Sequence, residues 1–373
     1  MTAAVTSGLA ANNTKKGEDY SVELPASYSG NAWSVFGVFD GHSGDASRFC
    51  HDSLCQRLSG AGIIDEQRLI DAFWSVDHGI GDQQISGGTT ATVLTTNDSG
   101  GAAAVRCWLA WAGDSTALRM NMRTGAVVDV SVDHSIDSPN EQRALRVLEK
   151  VRKRVVELSE SPLAAAALVL GRRPRADELD IYERALRRAC QIKEHWQQVS
   201  PEAASAVVHS HVIRRTTPKS DSSTSTKTLR LRPLVVATAL DHADPHYYDL
   251  RMTRSLGDWA GPDLVLPHPD CRSFSVSVGQ WERVVIASDG LWDVVGHEEA
   301  IIRCRHCASA NEAAAALLHL AEAAWKRRGK PGIGDDTTVL IVDINPSQVA
   351  FTPPTMLYEV GCSPSSPAPC TVC

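Results

Sequence analysis

The chain has 373 residues, a formal charge of −7 at neutral pH and 43% hydrophobic residues. That length allows one large domain or two ordinary ones, and the acidic balance excludes nucleic-acid binding by bulk charge. No apolar run nears the roughly 20 residues needed to span a bilayer. Residues 1–11 have no basic start followed by a long apolar stretch, so no secretory signal is expected there. The ten cysteines are accordingly read as reduced thiols, and the expected location is cytoplasmic or nuclear.

Taken in chain order, several short apolar runs meet an acidic residue. Residues 33–39 (WSVFGVF) run into Asp40, residues 107–113 (CWLAWAG) into Asp114, and residues 284–288 (VVIAS) into Asp289. Residues 339–342 (VLIV) follow Asp335 and Asp336. Runs of this length, rich in Val, Ile, Phe and Trp and ended by Gly or Asp, predict buried strands. Another strand is expected at 92–95. Helices are expected over 46–58, 65–74, 298–306 and 311–327, the last capped by Asn311. Strands in runs with helices grouped between them predict an α+β layered fold.

The middle of the chain has another character. Residues 146–232 carry 18 Lys/Arg against 10 Asp/Glu, leaving the remainder at −15. Residues 147–196 read as helical, and the Ser/Thr-rich stretch 216–228 as disordered. We read 146–232 as a basic insertion into one domain spanning 1–345, followed by a flexible Pro/Ser/Cys tail at 346–373.

The chemistry lies in acidic residues far apart in sequence, each beside a glycine or at a strand end: Glu18-Asp19, Asp40-Gly41-His42, Asp114, Asp289-Gly290 and Asp335-Asp336. A sheet rim crowded with carboxylates repels itself unless cations neutralise it. Hard oxygen donors suit Mg²⁺ or Mn²⁺ rather than zinc. Two such ions can clamp a phosphoryl group and activate a water for in-line attack. His42 is placed to protonate the departing oxygen. Each piece alone has a plainer reading, a DG turn or a solvated loop; their conjunction in order points to phosphate chemistry.

Eight segments in that order resemble the metal-dependent protein phosphatases, the type 2C serine/threonine family, closest to a plant-type branch. They are GEDY (17–20), VFGVFDGHSG (35–44), GGTTAT (87–92), AGDST (112–116), SVDHS (131–135), RMTRSLGD (251–258), IASDGLWDVV (286–295) and GDDTTVLIVDI (334–344). The resemblance covers roughly residues 12–145 and 233–345. It implies a four-layer α-β-β-α sandwich: a central antiparallel β-sandwich flanked by helices, with the metal site at one edge. It implies hydrolysis of phosphoserine and phosphothreonine in proteins with two Mg²⁺ or Mn²⁺ ions and a third, weaker one. Asp40 matches the bridging ligand, Gly41 a carbonyl ligand, and Asp289 and Asp335 further ligands. Glu18 and Asp19 match the acidic pair that holds metal-bound waters, Asp114 the ligand of the third metal, and His42 the general acid. Thr90 matches a threonine near the active-site water.

Three departures stand out. Where the family often has a phosphate-clamping arginine, this chain has Thr14, Lys15 and Lys16; lysine supplies charge without a bidentate fork, and Lys15 or Lys16 is the candidate replacement. Asp336 stands where asparagine is usual and is expected to add negative charge to the site. Ser43 replaces a glycine. Asp258, Asp133 and His134 are expected to have structural roles.

The insertion falls near the family's variable flap, so it is read as a solvated loop or as a modifier of substrate choice. Cys304 and Cys307 form a CxxC pair that reads as helix packing. Cys370–Cys373 has the form of a prenylation signal, with Cys362 as a second lipid site; only that would bring the chain to a membrane. The expected partners are phosphoproteins, with no nucleic acid, and the expected state is a monomer. A phosphoprotein-binding pseudophosphatase and a small-molecule phosphatase are the rival readings.

Overall fold

A computed structural model describes residues 5–26, 33–59, 62–97, 103–199, 214–215, 234–237, 249–261, 264–330 and 332–345. Ten strands form two five-stranded sheets, each antiparallel throughout. They are β1 Val5–Asn12, β2 Tyr20–Leu24, β3 Ser34–Phe39, β4 Ala91–Asn97, β5 Ala104–Ala112, β6 Thr116–Asn121, β7 Val127–Val130, β8 Asp270–Ser277, β9 Glu282–Ala287 and β10 Thr337–Ile344. One sheet has the order β1-β10-β9-β6-β7 and the other β8-β5-β4-β3-β2.

The central strands are buried on both faces, which is why they read as continuous apolar runs rather than as alternating ones. The side chains still alternate with the pleat. In β3, Phe36 and Val38 enter the core between the sheets, while Val35 and Phe39 face the opposite way into a helix layer. In β9 and β10, Val284, Ile286, Leu340 and Val342 fill the inter-sheet core, and Val285, Ala287, Val339 and Ile341 meet the other helix layer. Each such fully buried Val, Leu, Ile or Phe side chain contributes about 1.5–3 kcal/mol.

Helices α1 (Ala46–Ser59) and α2 (Glu66–Asp82) cover one sheet. Helices α6 (Asp289–Trp292), α7 (His297–Arg305) and α8 (Ala310–Arg327) cover the other. The result is the expected four-layer α-β-β-α sandwich. Helix α2 runs two turns beyond the expected end because Val76, Asp77 and Ile80 continue its buried stripe. The cap of α8 is Ser309, whose side chain accepts the Glu312 N–H at 3.2 Å; Asn311 lies one residue inside the helix and is not the cap.

The stretch read as helical within the insertion consists of α3 (Pro139–Leu158), α4 (Pro162–Leu170) and α5 (Ala176–Val199). Helices α3 and α4 each begin with a serine cap followed by proline, Ser138-Pro139 and Ser161-Pro162. Leu145 and Leu148 of α3 and Ala185 of α5 pack with Trp74 of α2 and with Leu264, Val265 and Leu266. The stretch 216–228, the tail and its Cys362 and Cys370 lie outside the described residues. Cys304 and Cys307 are buried free thiols. Burial pushes the Cys304 thiol up to about 12, so this CxxC pair is packing, not a thiolate site.

Candidate metal and phosphate centre

The acidic residues come together at one edge of the sandwich, supplied by both sheets. Asp19 directly precedes β2 and Asp40 directly follows β3; Asp289 opens α6 after β9, and Asp335 shortly precedes β10. Asp114 lies in the β5–β6 connection. Antiparallel pairing of β3 with β2 and of β9 with β10 brings these strand ends side by side.

Their mutual repulsion shows in the carboxyl pKa values. Asp40 is pushed well above the ordinary carboxylate range, first by burial and then by the charges of Asp19, Asp289, Asp114 and Asp335. Burial and the charges of Asp114, Asp293 and Asp335 push Asp289 up to about 7. Burial drives Asp19 up to about 6, against the hydrogen bond it accepts from Ser288. Asp114 reaches about 6 through burial and the nearby Asp133.

The backbone around Asp40 is fixed by threonines. Its N–H donates to Thr90 Oγ1 at 3.1 Å, and its carbonyl accepts from Thr89 Oγ1 at 3.0 Å and from the Thr90 N–H at 2.9 Å. Thr90 Oγ1 also meets Ser115 Oγ at 2.6 Å, so Thr90 ties Asp40 to the connection that carries Asp114. Gly41 has no room for a side chain: a Cβ there would lie 2.5 Å from the Glu18 carbonyl oxygen and from Ser47 Oγ. Glu18 Oε1 accepts the Gly44 N–H at 3.2 Å, tying the acidic pair to the loop after His42.

The two lysines differ. Lys16 Nζ lies 2.7 Å from Asp335 Oδ1, and although burial lowers its pKa, the charges of Asp335, Asp40 and Asp289 raise it above the ordinary value. Lys15 is exposed and meets the site through its backbone N–H alone. That N–H and those of Lys16, Gly17 and Glu18 all donate to the Asp336 carboxylate, at 2.6–3.0 Å. Asp336 does raise Asp19, but its chief structural work is to hold the loop carrying Glu18 and Asp19. Those four N–H groups outweigh burial and keep its own pKa below the usual range.

His42 Nε2 lies 2.8 and 3.1 Å from the two oxygens of Asp258. Burial lowers the imidazole pKa, but the Asp258 charge and hydrogen bond win and raise it. Asp258 is thus the partner of His42, and motif order gave no sign of that contact. Asp133 accepts from Thr116 at 2.7 Å, while His134 Nδ1 accepts the Gly113 N–H at 3.2 Å and its ring stacks on Trp111. Both shape the loop beside Asp114.

The donor set fits a pair of hard divalent cations. It offers carboxylate oxygens that are buried and electrostatically frustrated, and Asp19 Oδ1 is buried with no hydrogen-bond partner. Among the described residues no three acidic, histidine or cysteine side chains already surround one point as a ligand cage. Cations would have to draw these carboxylates around themselves.

A family model of protein phosphatase 2C matches residues 9–151 and 236–327. The chain belongs to the protein phosphatase 2C family. It is similar to the rice "probable protein phosphatase 2C 33", at 26% identity over 359 residues, covering 92% of this chain and 62% of that one. The chain therefore spans less than two thirds of that relative's length. It is also similar to "protein phosphatase 2C homolog 1" of Schizosaccharomyces pombe, at 34% identity over 125 residues, 34% of this chain and 32% of that one. Among solved structures, a serine-threonine phosphatase 2C from Toxoplasma gondii superposes with a TM-score of 0.57 at 15% identity, covering 92% of this chain and 95% of that one. A C. elegans sex determining protein superposes at 0.51 and 16% identity, covering 92% and 65%. These two show the shared phosphatase 2C fold. Rice and Arabidopsis recur among the relatives of this phosphatase 2C chain, in keeping with a plant-type branch. The family match leaves out residues 152–235, which hold α4, α5 and the C-terminal end of α3.

Proposed function

We propose that the protein hydrolyses phosphoserine and phosphothreonine in proteins, using two Mg²⁺ or Mn²⁺ ions. The convergence of Asp40, Asp19, Asp289, Asp114 and Asp335 from both sheets on one edge carries this reading. Asp40, the Gly41 carbonyl, Asp289 and Asp335 would hold the pair, with Glu18 and Asp19 beside them and Asp114 toward a third ion. When bound, the cations supply an activated water and neutralise the phosphate. Lys16 offers an ammonium beside Asp335 for a phosphate oxygen. His42, held by Asp258, gives its proton to the serine or threonine oxygen as the P–O bond breaks.

The full chain should hydrolyse a phosphothreonine peptide in millimolar Mn²⁺ and fail to do so after chelation. Asp40→Asn should remove turnover on the peptide and on p-nitrophenyl phosphate alike. Capture of phosphoprotein by the Mn²⁺-loaded wild type without any release of phosphate would point instead to a pseudophosphatase.

A further inference from the structure

Helix α5 lies outside the matched family segments, yet one of its side chains grips the turn that carries the histidine's partner. Arg188 is fully buried. Its Nε donates to Asp77 Oδ2 of α2 at 2.9 Å, and its Nη2 donates to the Gly257 carbonyl at 2.5 Å. Asp77 Oδ1 accepts the Gly257 N–H at 2.8 Å. One ion pair therefore holds both polar backbone groups of Gly257. The Arg188 guanidinium also lies 5.3 Å from the centre of the Trp259 ring, whose Nε1 donates to the Asp77 carbonyl at 3.0 Å.

The turn needs holding. Gly257 sits at φ +90°, where a Cβ would lie 2.6 Å from the Gly87 carbonyl oxygen. Asp258, not a glycine, sits at φ 55°, a conformation that persists only when its surroundings over-determine it. With the turn fixed, the Asp258 carboxylate faces His42 Nε2 and also accepts from the Ser255 hydroxyl.

We propose that Arg188 is a positioning residue for the hydrolysis: through Gly257 and Asp258 it fixes the orientation of His42, which makes the family-unmatched helix α5 a working part of the centre. This rests on the reading of His42 as proton donor. In that step a water oxygen forms the new P–O bond and its proton leaves to solvent. The serine or threonine oxygen departs with a proton from the His42 imidazolium, which regains one from solvent. Asp258 holds the Nε2 proton throughout, leaving Nδ1 as the donating nitrogen.

The test compares two leaving groups in the Mn²⁺-loaded full chain. A threonine oxygen needs protonation to leave; p-nitrophenolate does not. In Asp258→Asn, kcat on a phosphothreonine peptide should fall roughly 100-fold while KM and p-nitrophenyl phosphate turnover stay near wild type. Arg188→Lys keeps the charge but loses the fork, and should show the same selective loss at about tenfold. Added to His42→Ala, Asp258→Asn should cost nothing more. Independently of turnover, the ring-nitrogen spectrum of ¹⁵N-histidine-labelled protein should show His42 leaving its Nε2–H tautomer in both single variants. Should Arg188→Lys fail to fold by circular dichroism, Trp259→Phe loosens the same turn and carries the same expectation. A folded variant with an unchanged peptide-to-p-nitrophenyl phosphate ratio and an unchanged histidine spectrum overturns the proposal, as does an equal loss on both substrates. If His42→Ala itself lowers both substrates equally, the proton-donor reading fails instead.

Discussion

Asp336 receives four backbone N–H groups from residues 15–18. An anion in such a nest is held by charge-assisted hydrogen bonds, each about 1.5–3 kcal/mol and far from additive. We expect Asp336→Ala to lower the unfolding free energy by about 2–4 kcal/mol and to weaken Mn²⁺ binding, because the loop presenting Glu18 and Asp19 loses its anchor. Asp336→Asn keeps one good acceptor and should lose roughly half as much. Urea titration and calorimetric Mn²⁺ titration measure the two effects. If Asp336 were only one more negative charge at the rim, both variants would be at least as stable as wild type. The sequence marked the acidic residues because strand ends and glycines are local signals. It could not say which of two adjacent aspartates points inward, since Asp336 finds its partners up to 321 residues away. Asp258 was hidden for the same reason, its histidine lying 216 residues off.

Between elements, buried ion pairs do what the apolar pattern cannot. Arg283 of β9 donates to both oxygens of Asp343 on β10, at 2.7 and 2.8 Å, and Nη1 donates to the Cys304 carbonyl at 2.7 Å where α7 ends. Both side chains are buried, so Arg283→Met, which strands Asp343, should cost about 3–5 kcal/mol, whereas Arg283→Met paired with Asp343→Leu should recover much of it. A single variant within about 0.5 kcal/mol of wild type would count against the argument. Arg254 makes a second junction, binding Glu141 in the first turn of α3 and Asp270 at the start of β8. Burial raises Glu141 and Asp270, but Arg254, together with His134 at Asp270, outweighs it and holds both low. Burial and Arg254 drive His268 down to about 4. A depressed histidine loses stability as pH falls from its unfolded value of about 6.5 toward its folded one. Depressed carboxylates lose theirs below their unfolded values of about 4. The stability this junction contributes should therefore fall from about pH 6.5 to pH 3, while the raised carboxylates of the metal-free acidic edge drift the opposite way as pH falls. In Arg254→Met, less stable at neutrality, the fall should be shallower; equal slopes in urea melts across that range would refute it. Here too legibility followed locality. The inner strands β3, β5, β9 and β10 stood out as dense apolar runs, and the inner β4 was expected over 92–95, while β1, β2, β6, β7 and β8 did not stand out. Their mixed faces, such as Glu23 of β2 and Arg272 of β8, dilute the pattern that periodicity reads.

At the scale of the molecule, the acidic edge draws carboxylates from both sheets: Asp19 and Asp40 from one, Asp289 and Asp335 from the other. Without cations this edge is a seam of like charge, and burial and neighbouring carboxylates push Asp40 well above the ordinary range. Filling it should therefore couple metal binding to the stability of the whole sandwich. At a Mn²⁺ concentration of 100 times Kd the gain is about 2.7 kcal/mol, which for a domain of this size raises the melting temperature by about 4 °C. Asp40→Asn removes one charge from the middle of the cluster. It should melt at or a few degrees above the metal-free wild type, since repulsion is relieved, and should gain little from Mn²⁺, since the shared ligand is gone. The crossing of the two curves is the signature: the variant the more stable without metal, the wild type the more stable with it. A peripheral carboxylate such as Asp52, exposed on α1 and paired with its neighbour His51, supplies the contrast, because Asp52→Asn should leave both melting temperatures and their difference unchanged. Scanning calorimetry with and without Mn²⁺ measures all three proteins. Parallel shifts in wild type and Asp40→Asn would mean that the ions bind elsewhere, and that the convergence of the two sheets at Asp40 is not what holds them.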